Sequence, residues 1–103
     1  MSIVFALATP PSKSAICVFR VSGKGCLDSL NNLISVPLAN NKTFYVREVF
    51  YKEKLLDTVG IISFKGPASY SGEDSFEVYA HGGLGVMSLF VSLFKELGFD
   101  EAP

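Results

Sequence analysis

Hydrophobic and polar positions along this chain follow two periods, and the switches between them mark out strands and helices in turn. Ile3 to Ala8 is an unbroken apolar run of strand length, closed by Thr9-Pro10-Pro11, where two prolines can donate no ladder hydrogen bonds. After the loop Ser12-Lys13-Ser14, Ala15 to Ser22 alternates. Cys17, Phe19 and Val21 share one face, and Ile16, Val18, Arg20 and Ser22 share the other. Arg20 therefore projects from a partly apolar face. Ser22-Gly23-Lys24-Gly25 predicts a turn and cap, and Leu27, Leu30, Leu33 and Ile34 give the stripe of a first helix ended by Pro37. Asn40-Asn41-Lys42 reads as loop, and Thr43 to Tyr51 as a strand rich in β-branched and aromatic residues. Lys52-Glu53-Lys54 turns a hairpin into the strand Leu56 to Lys65.

The stretch from Gly66 to Gly83 organises the rest. A polar, glycine-punctuated loop runs into a strand, Ser75 to Ala80, in which Phe76, Val78 and Ala80 alternate with Ser75, Glu77 and Tyr79. A glycine pair then releases the chain into a helix from about Leu84 to Leu97. Its only polar stripe is Ser88, Ser92, Lys95 and Glu96, which predicts a helix covered on more than one side, and Gly98 suits a left-handed stop. The order, two strands, a helix, three strands and a helix, predicts an α+β domain, a mainly antiparallel sheet with two helices packed on it. The tail from Phe99 to Pro103 shows no finishing element and reads as a truncation.

At 103 residues and 11.1 kDa, residues 1–103 read as one domain without linkers. Hydrophobic content of 49%, charged content of 18% and mean hydropathy of +0.35 leave apolar surface to spare for a partner. Nine basic against ten acidic residues give a net charge of -1, so no global field draws the domain to nucleic acid or anionic lipid. Cys17 and Cys26 are too few for a disulfide framework and lack metal-knuckle spacing; they read as reduced thiols of a cytoplasmic protein. The N-terminus has no basic leader, and the Leu84–Leu97 run is too short and interrupted to span a bilayer.

Candidate chemistry is sparse. Gly82, Gly83 and Gly85 could present amides to an anion or simply make a tight turn, and neither nucleotide-binding glycine fingerprint is present, so hydrolysis of a nucleoside triphosphate is not expected of this chain. His81 is the single histidine, without ligands at metal spacing, and reads as structural. Of the two thiols only Cys26, near a helix start, has surroundings that could lower its pKa. Glu73, Asp74 and Glu77 repel one another unless something separates or neutralises them. Glu73 and Asp74 could accept backbone amides in the loop, whereas Glu77 could pair with Arg20 or bind a ligand. An arginine and a glutamate on neighbouring strands suit an amphoteric heterocycle. The carboxylate takes N–H bonds from an aminopyrimidinone edge, and the guanidinium serves carbonyl or carboxylate oxygens.

Three motifs in order, Ala6-Leu7-Ala8-Thr9-Pro10-Pro11, Arg20-Val21-Ser22-Gly23, and Gly66-Pro67-x-Ser69-Tyr70-Ser71-Gly72-Glu73-Asp74-x-x-Glu77 followed by His81-Gly82-Gly83, resemble the N-terminal domain of the MnmE/TrmE tRNA-modification GTPases. The resemblance spans essentially the whole chain. It implies one half of an aminomethyltransferase-type folate-binding fold that forms a homodimer, with a tetrahydrofolate derivative, 5-formyl or 5,10-methylene, at the interface. It also implies a parent protein with helical and GTPase domains, using GTP, Mg and K, that acts with a flavin-dependent partner on the wobble uridine of tRNA, without membrane attachment. The folate contacts implied are the arginine of Arg-x-Ser-Gly, here Arg20, and the last glutamate of Gly-Glu-Asp-x-x-Glu, here Glu77.

Three departures accompany the likeness. Ser12-Lys13-Ser14-Ala15 is bulkier than the family's glycine-rich loop, Ser71 replaces a threonine, and the chain ends at Ala102-Pro103 before a family lysine that also contacts folate. The GTPase domain and C-terminal cysteine of the family are not in this sequence. Two other readings remain open at this point: a purely structural dimerisation scaffold with Arg20 and Glu77 as an ion pair, and a tRNA-contacting module using Lys13, Lys24, Lys52 and Lys54.

Overall fold

The computed structural model describes residues 2–9, 15–67 and 72–103. The strands are β1 (Val4–Leu7), β2 (Ile16–Ser22), β3 (Tyr45–Tyr51), β4 (Lys54–Phe64), β5 (Ser75–His81) and β6 (Asp100–Glu101), and the helices are α1 (Cys26–Asn31) and α2 (Leu84–Glu96). All six strands form one sheet in the order β3-β4-β5-β2-β1-β6, antiparallel except for the β1/β6 pair. The expected α+β class and mainly antiparallel sheet are observed.

Alternation decides which side of the sheet is buried. Phe5, Cys17, Phe19, Val21, Ile61, Phe76 and Val78 point to one face, where Cys26 and Leu30 of α1 and Met87, Phe90, Leu93 and Phe94 of α2 join them in a single core. Phe94 is its centre: its ring lies 5.2 Å from Phe5, 5.6 Å from Phe19 and 5.9 Å from Phe90 and from Phe99. The opposite face carries Ile16, Val18 and Arg20 of β2 and Glu77 and Tyr79 of β5, and neither helix covers it.

Turn chemistry explains the junctions. Gly98, at φ 88, ends α2 in a left-handed residue; its N–H bonds to Lys95 O and that of Phe99 to Phe94 O, while the Phe94 and Phe99 rings stack. These two bonds and the ring contact make a Schellman stop, as Gly98 predicted. The β3–β4 hairpin closes on two residues, Lys52 and Glu53, both at positive φ (51 and 64), the backbone that matches strand twist in a two-residue loop. Lys54, expected in the turn, already pairs with Tyr51.

Several expectations need correction. The first helix stops at Asn31; Leu33 follows in a turn, its N–H bonded to Leu30 O and its own O accepting from Phe50 N, and Ile34 forms a bridge with Val49, so both side chains are buried, but beyond the helix. The tail does have a finishing element: β6 sits beside β1, held by Asp100 N to Ile3 O (2.9 Å) and Ala102 N to Phe5 O (2.8 Å). Helix α2 is covered on one side only, leaving Leu84 and Leu89 about half exposed. Ser12, Lys13 and Ser14, and residues 68–71 of the identifying block, lie outside the described residues.

Candidate functional site

Antiparallel pairing of β2 with β5 sets Arg20 opposite Glu77, on the face turned away from the helices. Cys17, Phe19 and Val21 must face the core, so Arg20 cannot; Phe76 and Val78 impose the same constraint on Glu77. Arg20 Nε donates to Glu77 Oε2 at 2.7 Å. Glu77 Oε1 accepts at 2.7 Å from the hydroxyl of Tyr79, two residues on and so on the same face. The side chains are 64% exposed for Arg20 and 16% for Glu77.

Desolvation acts to raise the Glu77 pKa, but the bonds from Arg20 and Tyr79 and the Arg20 charge together outweigh it and hold the carboxyl below its usual range. Tyr79 is pushed up, first by donating to Glu77 and then by burial. An ion pair with one partner this exposed contributes only about 0.2–1 kcal/mol to folding. Its consequence is therefore chemical, a carboxylate kept anionic with both oxygens oriented. Beside it a groove of about 310 Å³ runs along the same face, lined by Ile16, Val46, Thr58, Gly60, Tyr79 and His81.

The other candidates fall into place around this pair. Asp74 Oδ1 accepts from Gly66 N at 3.0 Å, which is the loop-capping role expected of that carboxylate. His81 is 73% exposed and held by Asp57, a residue that sequence reasoning passed over; Nδ1 lies 2.8 Å from Asp57 Oδ1, and the His81 amide donates to Oδ2. The pairing crosses from β4 to β5, so only the sheet register reveals it. Gly82 N bonds to Ala15 O, and Gly83 precedes α2 with no side-chain cap, which makes the glycine pair a tight turn.

Cys26, the one thiol whose surroundings could have lowered its pKa, is shifted the other way. It is fully buried, and burial first, then the Asp74 charge, push its thiol up to about 11; burial raises Cys17 as well. Neither thiol is expected to react with iodoacetamide in the folded domain at pH 7.5, and mass spectrometry before and after denaturation checks this. Lys52 is bonded to Glu96 Oε1 at 2.6 Å, so one of the lysines considered for tRNA contact is already engaged. Among the described residues, no helix is long and apolar enough to cross a membrane.

Comparison with known proteins converges on one family. A family model described as "GTP-binding protein TrmE N-terminus" matches residues 3–102. The tRNA modification GTPase MnmE of Fervidobacterium nodosum is 36% identical over 101 residues, covering 92% of this chain and 22% of that protein. Its counterpart in Anaplasma marginale is 38% identical over 99 residues (91% of this chain, 21% of that protein), and that of Caulobacter vibrioides 37% over 95 (92% and 21%). The chain thus spans about a fifth of the length of these curated relatives. With a match from residue 3 to residue 102 and relatives above one-third identity over nine-tenths of its length, the chain belongs to the TrmE N-terminal domain family.

Proposed function

We propose that the domain is a tetrahydrofolate-binding and dimerisation module, with Arg20 and Glu77 as its ligand contacts. One observation carries the reading: Arg20 and Glu77, 57 residues apart in sequence, meet across β2 and β5 on the face the helices leave open. Glu77 is an oriented anion, suited to N–H donors of a pterin's aminopyrimidinone edge, and Arg20 presents a guanidinium suited to carbonyl or carboxylate oxygens. These residues fit a 5-formyl or 5,10-methylene tetrahydrofolate, which supplies a one-carbon unit when bound; the chain's own part is to bind and orient it. Within a longer protein this would serve a GTPase, using GTP with Mg and K elsewhere in its chain, that acts in the cytoplasm with a flavin-dependent partner on the wobble uridine of tRNA. Calorimetric titration with 5-formyl-tetrahydrofolate tests the reading. Saturable binding lost in Glu77→Ala supports it, and equal affinity of both proteins returns the pair to a structural role.

Dimerisation is favoured by the apolar content of the open face and its margin, where Ile16, Val46 and Phe44 are 54%, 59% and 55% exposed. Light scattering is expected to give a mass about twice the 11.1 kDa of the chain. A monomer across the micromolar range would remove this part of the proposal.

A further inference from the structure

We propose that Tyr79 is a positioning residue: its hydroxyl fixes the Glu77 carboxylate in the one orientation that leaves an acceptor free on each oxygen, so that the site selects ligands with two adjacent N–H donors. The proposal rests on Glu77 being the ligand contact. A carboxylate offers about four lone-pair positions. Arg20 Nε occupies one on Oε2 and the Tyr79 hydroxyl one on Oε1, each at 2.7 Å. Among the described residues, one acceptor position remains on each oxygen. Held at both ends, the group presents these two at fixed spacing; held by Arg20 alone, through a long and mostly exposed side chain, it turns about its broad terminal torsion.

Tyr79 is itself held. The Phe44 ring lies 5.6 Å from the Tyr79 ring at 60°, a tilted aromatic pair. Phe44 lies against the backbone of Gly60, where a Cβ would run into its ring, so glycine at that point of β4 is what admits the ring. Gly60 and Tyr79 are register partners across β4 and β5. Gly60, Phe44, Tyr79 and Glu77 therefore form one line of contacts across the open face. Among the described residues, Glu77 is faced by Arg20 from β2, by Tyr79 from its own strand and by Ile62 at the register position on β4.

Tyr79→Phe tests this, since it keeps the ring and its contact with Phe44 and removes only the donor. Two readouts are needed: the Glu77 carboxyl titration by carbon-detected NMR, and the affinity for 5-formyl-tetrahydrofolate from pH 4 to pH 8. The hydroxyl bonds the carboxylate more strongly than the neutral acid, so its loss is expected to raise the pKa of Glu77 and move the acid limb of ligand binding to higher pH. Affinity at neutral pH is expected to fall roughly tenfold, the scale of one charge-assisted hydrogen bond. A residue that served packing alone would change the melting temperature and leave the Glu77 titration where it was. An unchanged Glu77 titration overturns the proposal whatever the folate result. Failure of the unsubstituted chain to bind folate, with the titration shifted in Tyr79→Phe, overturns the ligand reading while leaving the positioning role of Tyr79 intact.

Discussion

Phe94→Ala is expected to destabilise the domain by about 3–5 kcal/mol, the usual cost of deleting a buried phenylalanine. Phe94 is 1% exposed and touches the rings of Phe5, Phe19, Phe90 and Phe99, which come from β1, β2, α2 and the segment after α2. Three elements and the connection after α2 therefore meet at one side chain, and the cavity left behind cannot close by a local shift of any single one. The Phe99 contact also belongs to the stop of α2, so the substitution loosens the helix end as well. Because a domain of this size has about 5–15 kcal/mol in total, urea denaturation should place the variant near its folding limit. A loss under about 1 kcal/mol would mean that this aromatic cluster is not the centre of the core.

Glu77→Gln should give the opposite profile, with little change in stability and a large change in binding. The side chain keeps its shape, and the ion pair it loses is worth at most about 1 kcal/mol with Arg20 so exposed. Towards a ligand, however, one acceptor oxygen becomes an NH2 donor that opposes the ligand's own donors, and the charge is gone. Losing one side of a charged, hydrogen-bonded contact costs about 2 kcal/mol or more, so affinity for 5-formyl-tetrahydrofolate should fall at least about 30-fold. Matched denaturation and titration curves check both halves. A variant that is strongly destabilised but binds as well as the parent would make Glu77 a structural residue.

Strand alternation was sufficient to put Arg20 and Glu77 on exposed faces, because the phenylalanines and valines between them leave no other choice. Their meeting depends on the β2/β5 register, which local pattern does not specify and which the completed core fixes. Tyr79 was legible as a face-mate of Glu77, yet its role depends on a hydroxyl reaching Oε1, a matter of rotamers. Asp57 was invisible for a similar reason: its partner His81 lies on the next strand, 24 residues away. With Cys26, a helix start left room for a lowered thiol pKa without a base beside it to use one; the helix is six residues long and the sulfur is completely buried, so desolvation dominates. The β6 strand carries no hydrophobic signal because it is two acidic residues; backbone hydrogen bonds to Ile3 and Phe5 hold it, with an ion pair between Glu101 and Lys95 of α2 beside them.

The domain's central feature is thus a carboxylate and a guanidinium joined on an open sheet face, with a tyrosine orienting the first. The most direct measurement of its purpose is an NMR titration with 5-formyl-tetrahydrofolate that follows the Arg20 Nε–H, the Glu77 carboxyl carbon and the Tyr79 ring. Saturable shifts at all three, at one common dissociation constant, are the predicted result; no saturable shift, or shifts confined to the outer side of α2 around Leu84 and Leu89, would contradict it.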